Sequence, residues 1–510
     1  MKKLHLILII VVSLLLLSSV IWGFFWIYAA RNSIPEGVQL TIQSGSPINQ
    51  ASEPVNKHEM LLKSGASFAF GGLAVQTALQ ELSQRQERLE HVPLTVQANQ
   101  TGGQKKTWTL AELGLHVDTK EAAAAILKLQ QGGVWEKAKY RLQFPKTLHI
   151  EVRWNKQTFL KAITGQWGYL NANEPINATR TITKDDKIIY TPHTDVYRLD
   201  TESLFTKSVQ AVEAIIAKDW APAPQGDAGA ANKKLSVTLP LAVKLIHPEF
   251  TLERLKAQGI ERKITSFTTD FSTSGAGRAY NVSMTAKTLN GWELAPGEVF
   301  DYSKVITLTS KQYGYRQAPV ILNGELVPGI GGGICQVSST LYNAALLAGL
   351  HMVERRNHSL PVSYLPKGQD ATFAEGAINF RFKNTTGKSI IIQTEVSGRK
   401  LTVKLFGTMP ANVSYSIKSK TIATIEPPVK EIPTSMVQPG ERLLLSLGRS
   451  GYIVETYRTL MKNGKEISSE RISRDTYKAQ PTVYGISPGS GAPKGGIPKG
   501  EKLLEDGVAE

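Results

Sequence analysis

The chain has 510 residues and a formal charge of +16, from 59 lysines and arginines against 43 aspartates and glutamates. That length calls for several domains at ~150 residues each, and a single cysteine excludes an intramolecular disulfide. The positive balance suits anionic lipid or acidic wall polymers, with a solvated basic surface as the plain alternative.

Lys2 and Lys3 precede an apolar run from Leu4 to Ala30, longer than the ~20 residues needed to cross a hydrocarbon core. Ala29-Ala30-Arg31 is a poor cleavage site, and Trp22, Trp26 and Tyr28 cluster where interfacial aromatics belong. Residues 1–31 are therefore expected to be an uncleaved single-pass anchor rather than a removed signal peptide. The short positive N-terminus stays inside and the bulk of the chain is extracytoplasmic. Export, and the lack of a nucleic-acid motif, argue against nucleic acid as a partner.

Residues 32–65 are polar, with scattered prolines, and read as a spacer. From residue 66 to 245 the pattern is mixed α and β. Helical spacing at Leu73–Leu82 is followed by alternation at Pro93–Ala98, then a helix at Thr119–Gln130. The order recurs with a strand at Leu148–Val152, a helix at Asn155–Ile163, an extended Ile188–Tyr190, a helix at Thr201–Ala217 and a strand at Leu235–Leu239. Trp220–Lys234 reads as a flexible loop. Residues 246–410 surround the cysteine, residues 425–486 alternate as a small all-β module with turn signals such as Asn463-Gly464, and 487–510 read as a disordered tail. The fold class is α+β, in several domains.

The segment Gly331-Gly332-Gly333-Ile334-Cys335-Gln336-Val337-Ser338-Ser339-Thr340-Leu341-Tyr342-Asn343 runs a glycine turn into a helix. A thiol in a first helical turn meets unpaired N–H groups and the positive end of the dipole, which favour the thiolate. A small apolar residue in a packed core is the other reading. Val337, Leu341, Ala344, Ala345 and Ala348 form one buried face, which Gly349 can terminate. A strand at His351–Arg355, then His358, a strand at Pro361–Leu365 and Asp370 in a turn follow. A cysteine at a helix start with later histidine and acid is the order of papain-like and transglutaminase-like hydrolases. Cys335 as nucleophile, His358 as base and Asp370 as orienter form a candidate catalytic triad. His358 capping a turn and Asp370 in an Asx-turn are the structural alternatives. A metal site is not expected, because only His351 and His358 follow residue 250 and their spacing lacks a zinc signature. No cofactor is implied.

Gly331–Asn343, Arg355–Tyr364 and Gly368–Thr372, with Pro296–Phe300 and Gly314-Tyr315 upstream, resemble the core of the VanW domain. The region before it resembles, through Leu110–Gly114 and its helix–strand pattern, the peptidoglycan-binding region found ahead of VanW in YoaR-like proteins. Residues 425–486 resemble the G-five domain through Gly440, Gly451, Tyr457 and Asn463-Gly464. The resemblance implies an envelope role, associated with peptidoglycan or anionic wall polymers and accessory to glycopeptide resistance or wall maintenance. It implies no particular reaction. Gly333, Gln336, Ser338, Tyr342 and Arg355 are candidate substrate contacts. Arg278, Arg316 and Arg356 are further possible clamps for carboxylate or phosphate, and Tyr342, Tyr364 and Trp292 could stack on sugars. Two functions stay open: a non-catalytic envelope module, which is preferred, and a cysteine-dependent acyltransferase or amidase acting on wall peptides.

Overall fold

A helix at Lys2–Ala30 opens the chain, and its leucines, isoleucines and valines point outward with no protein around most of them. Its 29 residues, at about 1.5 Å each, are long and apolar enough to cross a membrane. The computed structural model describes residues 2–42, 58–62, 64, 66–219, 235–322, 325–488 and 504–508. It is a mixed α+β chain of many small sheets, divided into two units: 1–176 with 194–248, and 177–193 with 249–510.

In the first unit the strand Thr147–Asn155 is the centre of the larger sheet. It pairs in parallel with Gln39–Ile42, and antiparallel with Glu59–Leu61 and Leu115–Asp118. A second sheet sets Pro93–Ala98 between Gln104–Thr109 and Val237–Pro240. Helices Val75–Glu90, Lys120–Lys128, Lys156–Trp167 and Thr201–Asp219 overlap the expected ones, the first running on past Leu82, and a helix at Val134–Leu142 was not anticipated. Asn155 caps the third by accepting from the Thr158 N–H at 3.0 Å. Trp154, Phe159 and Trp167 are wholly buried, and the Trp154 indole donates to the Leu113 carbonyl at 2.8 Å.

The spacer expected at 32–65 is corrected here. Ile34, Val38, Leu40 and Ile42 are core residues, and residues 39–42 are a strand of the main sheet. Alternating Val38, Leu40 and Ile42 carry a period-2 signal that the surrounding prolines and serines dilute when the segment is read by composition. Residues 43–57, and the loop expected at 220–234, lie outside the described residues. Strand Ile188–Thr191, expected in the same unit, instead forms a hairpin with Thr179–Ile182 in the second unit. Asp186 in its turn takes Lys263 and Lys404 from neighbouring strands.

The second unit is built on an antiparallel sheet in the order Arg262–Asp270, Lys400–Gly407, Ile390–Ser397, Trp292–Leu294. Helix Ile334–Leu347 packs on the first two strands, beside helix Ala276–Leu289. Every residue from Ile334 to Leu346 is buried, so the expected single apolar face is an all-round buried helix. It stops before Gly349, whose φ of +72° only glycine adopts readily, and whose missing Cβ leaves room for the Tyr415 ring. The strand expected at 361–365 is absent, because Pro361 and Pro366 each lack an N–H for a ladder. The β module begins at Val413, earlier than its alternation suggested. Its long hairpin Gly451–Lys462 to Lys465–Tyr477 turns at Asn463-Gly464 with both residues at positive φ.

Candidate functional site

The glycine turn ahead of the central helix has no room for side chains. A Cβ on Gly332 would stand 2.4 Å from the Pro319 carbonyl oxygen, and one on Gly333 would stand 2.7 Å from Arg278 Cγ. Gly331 and Gly333 also sit at φ +89° and +106°. Asn281 fixes the turn by donating to the Arg316 and Gly332 carbonyls and accepting from Arg316 N–H at 2.8 Å. The Tyr302 hydroxyl donates to the Ile334 carbonyl at 2.6 Å. The turn therefore aims the free N–H groups of the helix at one point.

That point is occupied by a carboxylate. Asp506 accepts from Gly333 N–H at 3.0 Å and from Cys335 N–H at 2.7 Å. It comes from a part of the chain expected to be disordered. Residues 504–508 are in fact ordered, while 489–503 and 509–510 lie outside the described residues. The Gly, Pro and Lys content of the tail concealed this short Leu-Glu-Asp-Gly-Val segment.

Cys335 is completely buried. Its Sγ accepts from Phe373 N–H at 3.0 Å and donates toward the Phe373 carbonyl at 3.4 Å. Burial first, then the Asp506 carboxylate, push the thiol well above its ordinary pKa, against the help of Phe373 N–H. The thiolate expected from the helix N-terminus is thus disfavoured here: a carboxylate already uses the donors that would stabilise it.

His358 and Asp370 do meet. Asp370 Oδ2 accepts from His358 N–H and is 2.7 Å from its Nδ1, and both side chains are buried. The Tyr477 hydroxyl donates to Asp370 Oδ1. Burial alone would raise the Asp370 pKa, but His358, Arg355 and Tyr477 together bring it down to about 2. Burial works against charge on His358 as well, and the carboxylate outweighs it, so the imidazole stands above its ordinary 6.5. The imidazole and the thiol are not hydrogen-bonded to each other; both lie within the field of Asp506.

Gln336, Ser338, Tyr342 and Arg355 face inward, whereas Arg316 is exposed. Gln336 accepts from Arg278 at 2.7 Å and donates to Thr269 Oγ1 and the Asp270 carbonyl. Ser338 donates to the Ala371 carbonyl at 2.6 Å. Tyr342 is buried against Phe380, with the Arg355 guanidinium 5.0 Å from its ring centroid, so it offers no face to a sugar. Arg355 donates to the Asp370 carbonyl at 2.7 Å and pairs with Asp475 at 2.6 Å, its side chain only 6% exposed. Trp292 packs edge-on to Phe300, and Arg316 lies over Tyr280. Of the proposed substrate contacts, Gly333 presents its backbone donor to the Asp506 carboxylate, while Arg355 is already paired with Asp475. Sequence reading missed Asp475, Tyr477, Glu505 and Asp506, because all lie more than a hundred residues beyond the site's helix.

Residues 277–406 match the family described as VanW like protein, and residues 417–485 match the G5 domain. The chain carries a VanW domain followed by a G5 domain. The VanW match encloses the glycine turn, Cys335, His358 and Asp370, while Asp475 and Tyr477 come from the G5 hairpin. The chain is 37% identical over 163 residues to the uncharacterized protein YoaR of Bacillus subtilis, covering 32% of this chain and 54% of that one. It is 30% identical over 150 residues to the vancomycin B-type resistance protein VanW of Enterococcus faecalis, covering 28% and 54%. The chain thus spans about half the length of the curated relatives it matches. Among solved structures, an IgA1 protease G5 domain is 20% identical, covering 16% of this chain and 98% of that one, with a TM-score of 0.12.

Proposed function

We propose that this is an envelope protein, anchored by its first helix with the rest of the chain outside the membrane, whose VanW domain recognises wall peptide and whose 66–245 region associates with peptidoglycan. The observation that carries the reading is one chain joining an uncovered apolar helix to a VanW domain with a carboxylate held on backbone amides. The relative named for vancomycin resistance supports a part in glycopeptide resistance or wall maintenance, and the charge of +16 favours acidic polymers. Sedimentation with purified sacculi, with and without acidic polymers and across salt concentrations, tests it. A chain that never sediments with either material overturns the wall reading. Attachment through exposed charge alone weakens as salt rises.

The His358–Asp370 pair beside the thiol helix favours a second reading, acyl transfer or amide hydrolysis. In it the Cys335 proton passes to a neutral His358, sulfur bonds to the acyl carbon, and the oxyanion sits on the Gly333 and Cys335 amides. The departing amine then takes the proton. This needs Asp506 to leave and His358 to be neutral, which its raised pKa opposes. Alkylation of Cys335 against pH in the folded chain and in His358→Ala decides. Histidine-dependent reaction below the free-thiol pKa of ~8.5 supports the enzyme, and a thiol inert until denaturation leaves the binding module.

A further inference from the structure

The Leu504–Val508 segment is held as a ligand is held. Leu504 and Glu505 pair antiparallel with Leu322 and Ile321, extending the Gln317–Leu322 and Glu325–Ile330 hairpin at its edge. Asp506 N–H donates to the Phe373 carbonyl at 3.3 Å and Val508 N–H to the Ile330 carbonyl at 3.0 Å, so the segment is bonded on both sides. Glu505 accepts from Ser359 N–H and Oγ, each at 3.0 Å. Val508 sits in the core, against the place where a Cβ on Gly331 would stand only 2.6 Å from it. A Cβ on Gly507 would stand 3.0 Å from the Ile330 oxygen and from Val320.

Both walls of this slot belong to the VanW match, whereas the occupant lies beyond the G5 match. Without the occupant, the slot would consist of an open strand edge, an N–H pair aimed at an anion and a glycine-cleared pocket for a small apolar side chain. Strand edges recruit extended peptides, and helix N-termini recruit carboxylates.

We propose that this slot is a peptide-binding site for an extended segment carrying a carboxylate at the Asp506 position, and that Leu504–Val508 is its built-in occupant, in competition with external peptide. The proposal rests on the wall reading only for the source of the natural ligand, an acidic wall peptide. A tethered occupant acts at an effective concentration of the order of millimolar, so it suppresses external binding without high intrinsic affinity. While seated it also covers Cys335.

The test uses a fluorescent Lys-Leu-Leu-Glu-Asp-Gly-Val peptide and anisotropy on the full chain, on Asp506→Asn and on Gly507→Val. Both substitutions loosen the occupant and leave the slot walls intact. The probe should bind each variant at least 10-fold more tightly than the unaltered chain. A probe with Asn in place of Asp should lose at least 10-fold on the same variants. Equal probe binding by all three chains, or none by any, overturns the proposal. So does loss of cooperative unfolding in the variants, which would make the segment an ordinary strand of the core. Probe binding by a chain that ignores sacculi keeps the slot and removes the wall reading; sedimentation without probe binding does the reverse.

Discussion

Two helices of this chain invert the usual rule. Lys2–Ala30 is almost wholly apolar and its side chains lie open, Leu4 at 74% exposure and Val20 at 69%. Ile334–Leu347 carries Gln336, Ser338, Ser339, Thr340 and Asn343, and all are buried. What separates them is partners. Thr340 donates to the Gln336 carbonyl and meets Thr269, Ser339 accepts from Ala371 N–H at 2.9 Å, and Asn343 donates to the Ser339 and Gln369 carbonyls. These side chains trade water for fixed bonds, which set the helix in one orientation, although Asn343 Oδ1 and the Tyr342 hydroxyl have no hydrogen-bond partner among the described residues. In the first helix the Ser18 and Ser19 hydroxyls donate to carbonyls of the same helix, at Leu15 and Leu16, and its stability depends on the solvent around it.

The largest expected effect comes from breaking the buried side of this comparison. Asp370→Ala strips His358 and Tyr477 of their shared acceptor and Arg355 of an ion-pair partner 3.6 Å away, and should cost about 3–5 kcal/mol, read by chemical denaturation. On the exposed side, Leu15→Arg should cost about 3–4 kcal/mol of insertion. That loss is read as depletion from an alkali-washed membrane fraction, with the folded units unchanged. Ser339→Ala orphans the Ala371 N–H and should cost about 1–3 kcal/mol in unfolding.

Acidity sharpens the same contrast, since only the buried network titrates as a unit. Asp370, held at about 2, contributes stability that is complete above its ordinary 3.8 and fades as pH falls toward 2. His358, raised above 6.5, contributes fully below that value and loses its share as pH rises through its folded-state pKa. Stability from the pair is therefore greatest between about pH 4 and 6.5. His358→Gln should flatten the alkaline fall of Tm with pH; an unchanged slope would place that fall elsewhere. The smallest effect belongs to Leu15→Ile, which should leave unfolding unchanged within about 0.5 kcal/mol.

Local signals were legible where one element carried them. The periodicity at Leu73–Leu82 and Thr201–Ala217 and the Asn463-Gly464 turn pointed to elements the structure contains, because each depends on neighbours in sequence. His358 and Asp370, proposed as base and orienter, do touch, but their spacing left turn-capping roles equally open. The state of Cys335 could not be read, because it is set by Asp506 and by Phe373 on the far wall of the slot. Nor could the inward roles of Gln336 and Arg355, whose partners lie on separate strands. The strand at Gln39–Ile42 was lost to averaging over a polar neighbourhood, although its alternation was present.

Tyr477 and Asp475 end the long G5 hairpin, yet their hydroxyl and carboxylate rest on Asp370 and Arg355 of the VanW domain. The seam between the two domains is therefore written in charge. A recombination event that passed on either one alone would leave an unmatched ion in the interior of its new host.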